Sequence, residues 1–276
     1  MIEKIEPAPA VDRSAPAKRP HVARRSLLDN PRFLGWGSIV LVLLVWELVA
    51  RLTGVSALYL PRPSQIIVTL IAMFGSGGLA IDLGVTLWRI FAGFAIALVA
   101  GTLLGLWIAT SFRTRAVADM FIAALYPLPK ITLIPLLIIW LGTGGPFMLS
   151  ISFLGAIFPI VINTVLGVSQ SDPGLVLAAR DLGATPRQIM RRVLLPSAIP
   201  SIFAGIRLGL GVSIILVVAA EMVVGKVGLG ARLYLAGQIL ETEQVFAVLI
   251  VLAVLGIIVT KAQDAIDASL GNWRVD

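Results

Sequence analysis

Few side chains in this sequence could do chemistry, and the missing types exclude most kinds of site. The 276 residues include no cysteine and one histidine, His21. Disulfides, thiol nucleophiles and most metal or general-base chemistry therefore have no side chains to carry them. No G-x-x-x-x-G-K-[ST] loop occurs, so the chain cannot cradle ATP by that device. We predict no catalytic residue, no cofactor and no metal site, and any driving energy must come from a partner or an ion gradient.

Four residues inside apolar stretches could instead line a path for a solute: Lys130, Pro135, Asn163 and Glu221. A charge at the centre of a membrane helix costs about 2.5 to 3.5 kcal/mol, so it should be paired, lie near an end or face a cavity. Glu221 is therefore either a solute ligand or a group that is interfacial or paired with a nearby arginine. Asn163 could hydrogen-bond to a solute or to an adjacent helix.

Lys130 lies in the segment YPLPKITLIP, among three prolines that include Pro135. Prolines remove backbone donors and bend a helix, which is tolerated where the helix lines a cavity. In one interpretation Lys130, or the backbone freed beside it, faces a solute path and favours an anion. In the other, Lys130 lies near the cytoplasmic interface, where it snorkels or contacts a partner protein. Both interpretations stay open.

A second group of polar residues forms the charged segment AARDLGATPRQIMRRVLLPSAIP. Asp172 followed by Pro173, and Thr185 followed by Pro186, are start signals of two short helices, and Gly183 would end the first. The pair could be a solvated or lipid-facing loop whose arginines touch headgroups. Alternatively, its small residues and arginines form a docking surface for a soluble partner.

Apolar elements must position these residues, since 58% of the chain is hydrophobic and 13% is charged. This composition is typical of a membrane protein, in which a spanning helix needs about 20 apolar residues. We predict a disordered cytoplasmic tail at residues 1–33, a transmembrane domain at 34–265 and a C-terminal tail at 266–276. Within the domain, spans are predicted at residues 34–52, 86–110, 117–141, 146–168, 198–224 and 244–262, with a loop at 172–196.

Most of the 22 lysines and arginines fall on one side of these six spans. The positive-inside rule then places both termini and the loop at 172–196 in the cytoplasm. Basic loops that face anionic lipid also account for the net charge of +7, so no nucleic-acid partner is needed.

The stretch Leu177–Pro196, LAARDLGATPRQIMRRVLLP, resembles the EAA loop of ABC importer permeases. Ala178, Ala179 and Gly183 match the motif in kind and spacing, and so does its end at Pro196, whereas Leu177 stands where the motif has glutamate. The stretches YLPRPSQI, PLPKITLIPLLIIWLGTGGP, FPIVINTVLGV and AAEMVVGKVGLGARL are similar to the permeases that import nitrate, bicarbonate, sulfonates, taurine and related small organic solutes.

This resemblance implies an all-α protein with six transmembrane helices, the type I ABC importer permease fold, in the bacterial inner membrane. It implies a non-catalytic subunit that pairs with a second permease copy, a cytoplasmic ATPase dimer and an extracytoplasmic solute-binding protein. The loop would fit a cleft of the ATPase and transmit its closure to the spans. The residues expected to carry this coupling are Ala178, Ala179, Arg180, Leu182, Gly183, Ala184, Arg187 and Arg191.

Two other functions compete with the importer permease. A secondary transporter driven by an ion gradient should show inverted repeats and acidic residues deep in its spans, and we find no acidic residue deep in the second, third, fourth or sixth predicted span. A membrane enzyme would need a set of catalytic side chains that this composition makes hard to assemble.

Overall fold

The computed structural model describes residues 31–271, and the side chains of residues 34–268. Almost all of these residues are helical, and no strand occurs between residues 31 and 271. The all-α prediction is therefore confirmed. Most of the predicted tail at residues 1–33 and the end of the tail at 266–276 lie outside the described residues.

The chain divides into two units, Met1–Val49 and Ala50–Asp276. Most of α1, Pro31–Leu52, lies in the first. The other helices belong to the second: α2 (Pro63–Gly75), α3 (Gly78–Ala109), α4 (Phe112–Leu125), α5 (Ile134–Leu141), α6 (Gly145–Ser169), α7 (Pro173–Asp181), α8 (Pro186–Ile189), α9 (Leu195–Val224), α10 (Leu229–Gln238) and α11 (Thr242–Gly271).

Five of the described helices are long and apolar enough to cross a membrane, and a sixth crossing results if a bent pair counts as one span. That pair is α4 and the segment Lys130–Leu141, which meet at 84°. Pro127 and Pro129 lie between them and cannot donate the amide hydrogens that would continue the helix. The bend expected from the prolines is thus a full break in the third predicted span.

Helix boundaries differ from the predicted ones in several places. Helix α3 begins at Gly78 rather than residue 86, and it includes Asp82, whose charge is paired with Arg232. Helix α11 continues to Gly271, past residue 266, where we expected a tail. Helices α2 and α10 were not predicted as elements, because each is shorter than a spanning helix.

The core of the second unit is a layer in which α6 packs between α3 and α9. Close approach depends on the glycines of the motifs GTLLG and GIRLG. A Cβ on Gly101 would lie 2.9 Å from Ile160 Cγ2, and one on Gly205 would lie 2.8 Å from Pro159 O. Both motifs therefore serve helix packing inside this chain, as small residues do in membrane proteins.

Helix α9 is continuous with the charged loop that precedes it. A π-helical turn, Met190–Leu194, joins α8 to α9, so Pro186–Val224 forms one helix of 39 residues. At a rise of 1.5 Å per residue this helix is about 58 Å long. Pro196 therefore does not interrupt the helix, which continues from the charged loop into the next span.

Candidate functional site

The charged loop has the helix, break and helix structure that the sequence predicted. Helix α7 is capped by Asp172, whose Oδ1 accepts a hydrogen bond from Gly174 N at 2.7 Å. It ends at Asp181, and Gly183 two residues later has a φ of +78° that favours glycine. Thr185 then caps α8 together with Gln188, whose Oε1 accepts from Thr185 N at 2.7 Å. Both caps are local, since each joins residues two or three positions apart in the sequence.

The loop leaves apolar side chains exposed beside its charges. Leu182 is 88% exposed, and Leu175 and Leu177 are each 57% exposed. Ile189, at the end of α8, is only 6% exposed and anchors the loop to the rest of the unit. Of the other residues expected to carry coupling, Ala179 and Ala184 are half-buried, and the exposed ones are Ala178, Arg180, Gly183, Arg187 and Arg191.

Lys130 lies at the break between α4 and the 3₁₀ turn Lys130–Leu133. Its Nζ donates to Tyr126 O, a carbonyl at the end of α4. The same ammonium lies 4.6 Å from the centroid of the Tyr126 ring and 5.6 Å from that of Phe158. A cation over two aromatic faces gains electrostatic energy from both rings. Lys130 therefore links the break to the end of α4 and to α6, and its side chain remains half-exposed.

The other candidate pathway residues do not meet Lys130 in one cluster. Pro135 is exposed in the first turn of α5, where a missing amide hydrogen costs nothing. Asn163 is half-buried in α6, and its Nδ2 donates to Pro159 O of the same helix at 2.8 Å. The hydroxyl of Ser152 makes the cross-helix bond, donating to Ile90 O of α3 at 2.7 Å.

Glu221, near the end of α9, is fully buried and saturated by donors of this chain. Arg89 Nη1 lies 2.6 Å from Glu221 Oε1 and 2.7 Å from Val227 O. Thr86 Oγ1 lies 2.9 Å from Glu221 Oε2, and Gly230 N donates to the same oxygen at 3.0 Å. The carboxylate thus joins α3, α9 and the first turn of α10.

Asp82 makes a second set of contacts to the same turn. Its Oδ1 accepts from Gly228 N at 2.8 Å, and its Oδ2 accepts from Arg232 Nε. Gly228 has a φ of +127° and leaves no room for a Cβ beside the carboxylate of Glu221. Asp82, Thr86, Arg89, Glu221 and Arg232 together form a cluster that we name the polar clamp.

Sequence reasoning anticipated only part of the polar clamp. The pairing of Glu221 with an arginine was one of the two stated alternatives, and Arg89 is that arginine. Asp82, Thr86 and Arg232 were missed. A signal was present, because Asp82, Thr86 and Arg89 follow one another at helical spacings of four and three residues and so share one face of α3.

Comparison with known proteins identifies the family of this chain. Residues 101–272 match the family model for the binding-protein-dependent transport system inner membrane component. The matched region contains the charged loop, the break at Lys130 and all of α9. The chain belongs to this family. Its members are transport components rather than catalysts, and ATPase activity lies in a separate subunit.

Relatives of this permease have similar lengths and related names. It is 31% identical over 249 residues to the taurine transport system permease protein TauC of Escherichia coli K12, covering 87% of this chain and 90% of TauC. It is 32% identical over 233 residues to the putative aliphatic sulfonates transport permease protein SsuC of Bacillus subtilis 168, covering 84% of each. The predicted family resemblance is confirmed.

A solved structure supports the fold of this permease. The MetNI methionine ABC transporter in an inward-facing conformation matches with a TM-score of 0.56 and 25% identity, over 71% of this chain and 95% of that chain. The permease therefore has the type I ABC importer fold that the sequence predicted. The family and its apolar helices make it a multi-pass protein of the inner membrane.

Proposed function

We propose that this permease forms part of the membrane pathway of an ABC importer and moves a small solute by alternating access. The solute is an anion or a sulfonate-like organic molecule of the nitrate, bicarbonate, sulfonate or taurine class. The names of the relatives, which specify taurine and aliphatic sulfonates, support this class. A cytoplasmic ATPase dimer drives the cycle, a second copy of this chain completes the pathway, and an extracytoplasmic binding protein delivers the solute.

The exposed apolar surface of the charged loop carries the proposal. Leu182 and Leu175 lie among arginines and aspartates, in a segment too polar to sit in the hydrocarbon core. Exposed apolar residues rimmed by polar ones are typical of an interaction site. We assign this surface to the ATPase. The missing glutamate at Leu177 means that packing, rather than an ion pair at that position, holds the partner.

The positive-inside rule supports the orientation that this docking requires. With both termini in the cytoplasm, Arg180, Arg187, Arg191 and Arg192 face the compartment that contains the ATPase. The opposite end of α9, with the polar clamp, then lies on the extracytoplasmic side.

We further propose that Lys130 contributes positive charge to the solute path. The observation that supports this is the break in the third span, because interrupted helices in transporters place backbone groups and charges beside the substrate. The ammonium is held by a carbonyl and two aromatic rings rather than by a carboxylate, so its positive charge is not cancelled by an acidic side chain among these contacts.

The docking proposal is tested by copurification with the cognate ATPase and by ATP-dependent uptake in proteoliposomes that also contain the binding protein. Leu182→Asp changes a side chain that this chain leaves 88% exposed, so folding should be preserved. Burial of a leucine against a partner contributes about 1.5 to 3 kcal/mol, so ATPase binding should weaken at least about tenfold and uptake should fall with it.

Ile239→Asp is the matched control, because Ile239 is 64% exposed and lies beyond the other end of α9. This variant should retain the ATPase. Equal ATPase binding by wild type and Leu182→Asp would contradict the docking assignment. Uptake by the permease alone, driven by an ion gradient without ATPase, would refute the importer proposal and favour the secondary transporter.

A further inference from the structure

The polar clamp and the charged loop lie at opposite ends of one helix. Leu195, where α9 begins, is 26 residues from Glu221, which corresponds to about 39 Å of helix. The charged loop leads directly into the first end through the π-helical turn Met190–Leu194. A displacement of the loop along the helix axis therefore reaches the polar clamp through a single continuous backbone.

The polar clamp fixes that far end to a turn and to a neighbouring helix. Glu221 accepts hydrogen bonds from Thr86 and Arg89 of α3 and from Gly230 N in the first turn of α10. Asp82 of α3 accepts hydrogen bonds from Gly228 N of the preceding turn and from Arg232 of α10. The geometry of these five hydrogen bonds must be kept at the same time. Because such bonds are directional, sliding of any one element would break several of them.

The charges of the polar clamp also balance one another. Two carboxylates, Asp82 and Glu221, face two guanidinium groups, Arg89 and Arg232. Glu221 is fully buried, and the side chain of Asp82 is only 7% exposed. Separating either pair would leave a buried charge without a partner, which is strongly unfavourable. The turn is therefore held to α3 and α9 more firmly than apolar contact alone would hold it.

We propose that Glu221 and Asp82 are positioning residues for transport, which make the segment Gly225–Arg232, the turn together with the start of α10, move with α9 and α3. When the ATPase displaces the charged loop, α9 carries the motion to the polar clamp, and the polar clamp delivers it to the turn and α10 at the far end of the pathway. This inference rests on the proposed function, since it assigns the output of the same coupling loop.

The inference predicts uncoupling, which a merely structural role would not produce. We would measure the ATPase activity stimulated by loaded binding protein and the taurine taken up per ATP hydrolysed, for the complete complex in liposomes. Thr86→Val keeps the shape of the side chain but removes its bonds to Glu221 and to Leu229 N. Glu221→Gln keeps acceptor capacity but removes the charge that faces Arg89. Both variants should assemble and hydrolyse ATP, with roughly tenfold less uptake per ATP.

Ser152→Ala is the matched control, because it removes a fully buried hydrogen bond between α6 and α3 that lies outside the polar clamp. Its uptake per ATP should equal that of wild type. The inference is overturned if Thr86→Val keeps the wild-type ratio in an assembled complex. It is also overturned if ratio and thermal stability fall equally in Thr86→Val and Ser152→Ala. Failure of the wild-type complex itself to show ATP-dependent uptake would instead refute the proposed function.

Discussion

Helix packing in the core sets a sharp prediction at Gly93, in the middle of α3. A Cβ at this position would lie 2.5 Å from Leu149 O and 2.5 Å from Ser152 Cβ, both on α6. Ordinary carbon contacts in proteins are about 3.5 to 4.0 Å. The substitution Gly93→Ala therefore requires α3 and α6 to move apart by about 1 Å, or Ser152 to give up its bond to Ile90 O.

The cost of this overlap follows from what the core can absorb. Extra methyl or methylene groups in a packed core cost about 1 to 3 kcal/mol. Better helix propensity returns about 0.8 to 1.0 kcal/mol when alanine replaces glycine in a helix interior. The net expectation for Gly93→Ala is a loss of up to about 2 kcal/mol. At about 2 to 4 °C per kcal/mol for a chain of this size class, Tm should fall by up to about 8 °C.

Gly84 provides a matched control in the same helix. A Cβ at Gly84 would meet nothing within 4 Å, so Gly84→Ala keeps the propensity gain without the overlap and should leave Tm unchanged or raise it slightly. The assay is thermal unfolding of the purified permease in detergent, followed by intrinsic tryptophan fluorescence. If Gly93→Ala unfolds at or above the wild-type temperature, the close contact between α3 and α6 is refuted.

Two further predictions concern charged residues. The proposed pathway role of Lys130 predicts that Lys130→Met raises the apparent KM for uptake of the solute that the cognate binding protein delivers about tenfold, with ATPase assembly retained. Lys130→Arg and the control Lys261→Met should stay near wild type, and an unchanged KM in Lys130→Met would contradict the pathway role. Arg207 bonds Asp264 and Asp267 of α11 at 2.6 and 2.7 Å, but all three side chains are at least 40% exposed. Arg207→Met should therefore lower the free energy of unfolding by less than about 1 kcal/mol, and by less still at high salt. Thermal unfolding measures this loss. A larger loss that does not depend on salt would show that the pairs are shielded from water.

The charged loop shows how much of a candidate site local sequence can specify. Asp172, Pro173, Gly183 and Thr185 act on backbone groups within a few residues of themselves, so their spacing predicted both helices and the break. The hydrophobic runs predicted spanning helices because bilayer thickness sets the minimum number of consecutive apolar residues in a span, which can be read from the sequence. Such local signals predicted which helices are present more accurately than they predicted where each helix begins and ends.

The polar clamp shows where local sequence is insufficient. Asp82 and Arg232 are 150 residues apart, and nothing near Asp82 in the sequence indicates that Arg232 is its partner. The predicted span began at residue 86, after Asp82. The helix instead begins at Gly78, and the charge of Asp82 is paired with a distant arginine.

The sequence by itself determined the class of protein, the approximate apolar helices and the shape of the charged loop, because composition, hydrophobic length and helix caps act locally. Only the tertiary structure decided that Glu221 is paired rather than free, that Lys130 lies near the rings of Tyr126 and Phe158, and that α9 joins the charged loop to the polar clamp. The physical reason is that burial and charge pairing depend on which distant segments pack together.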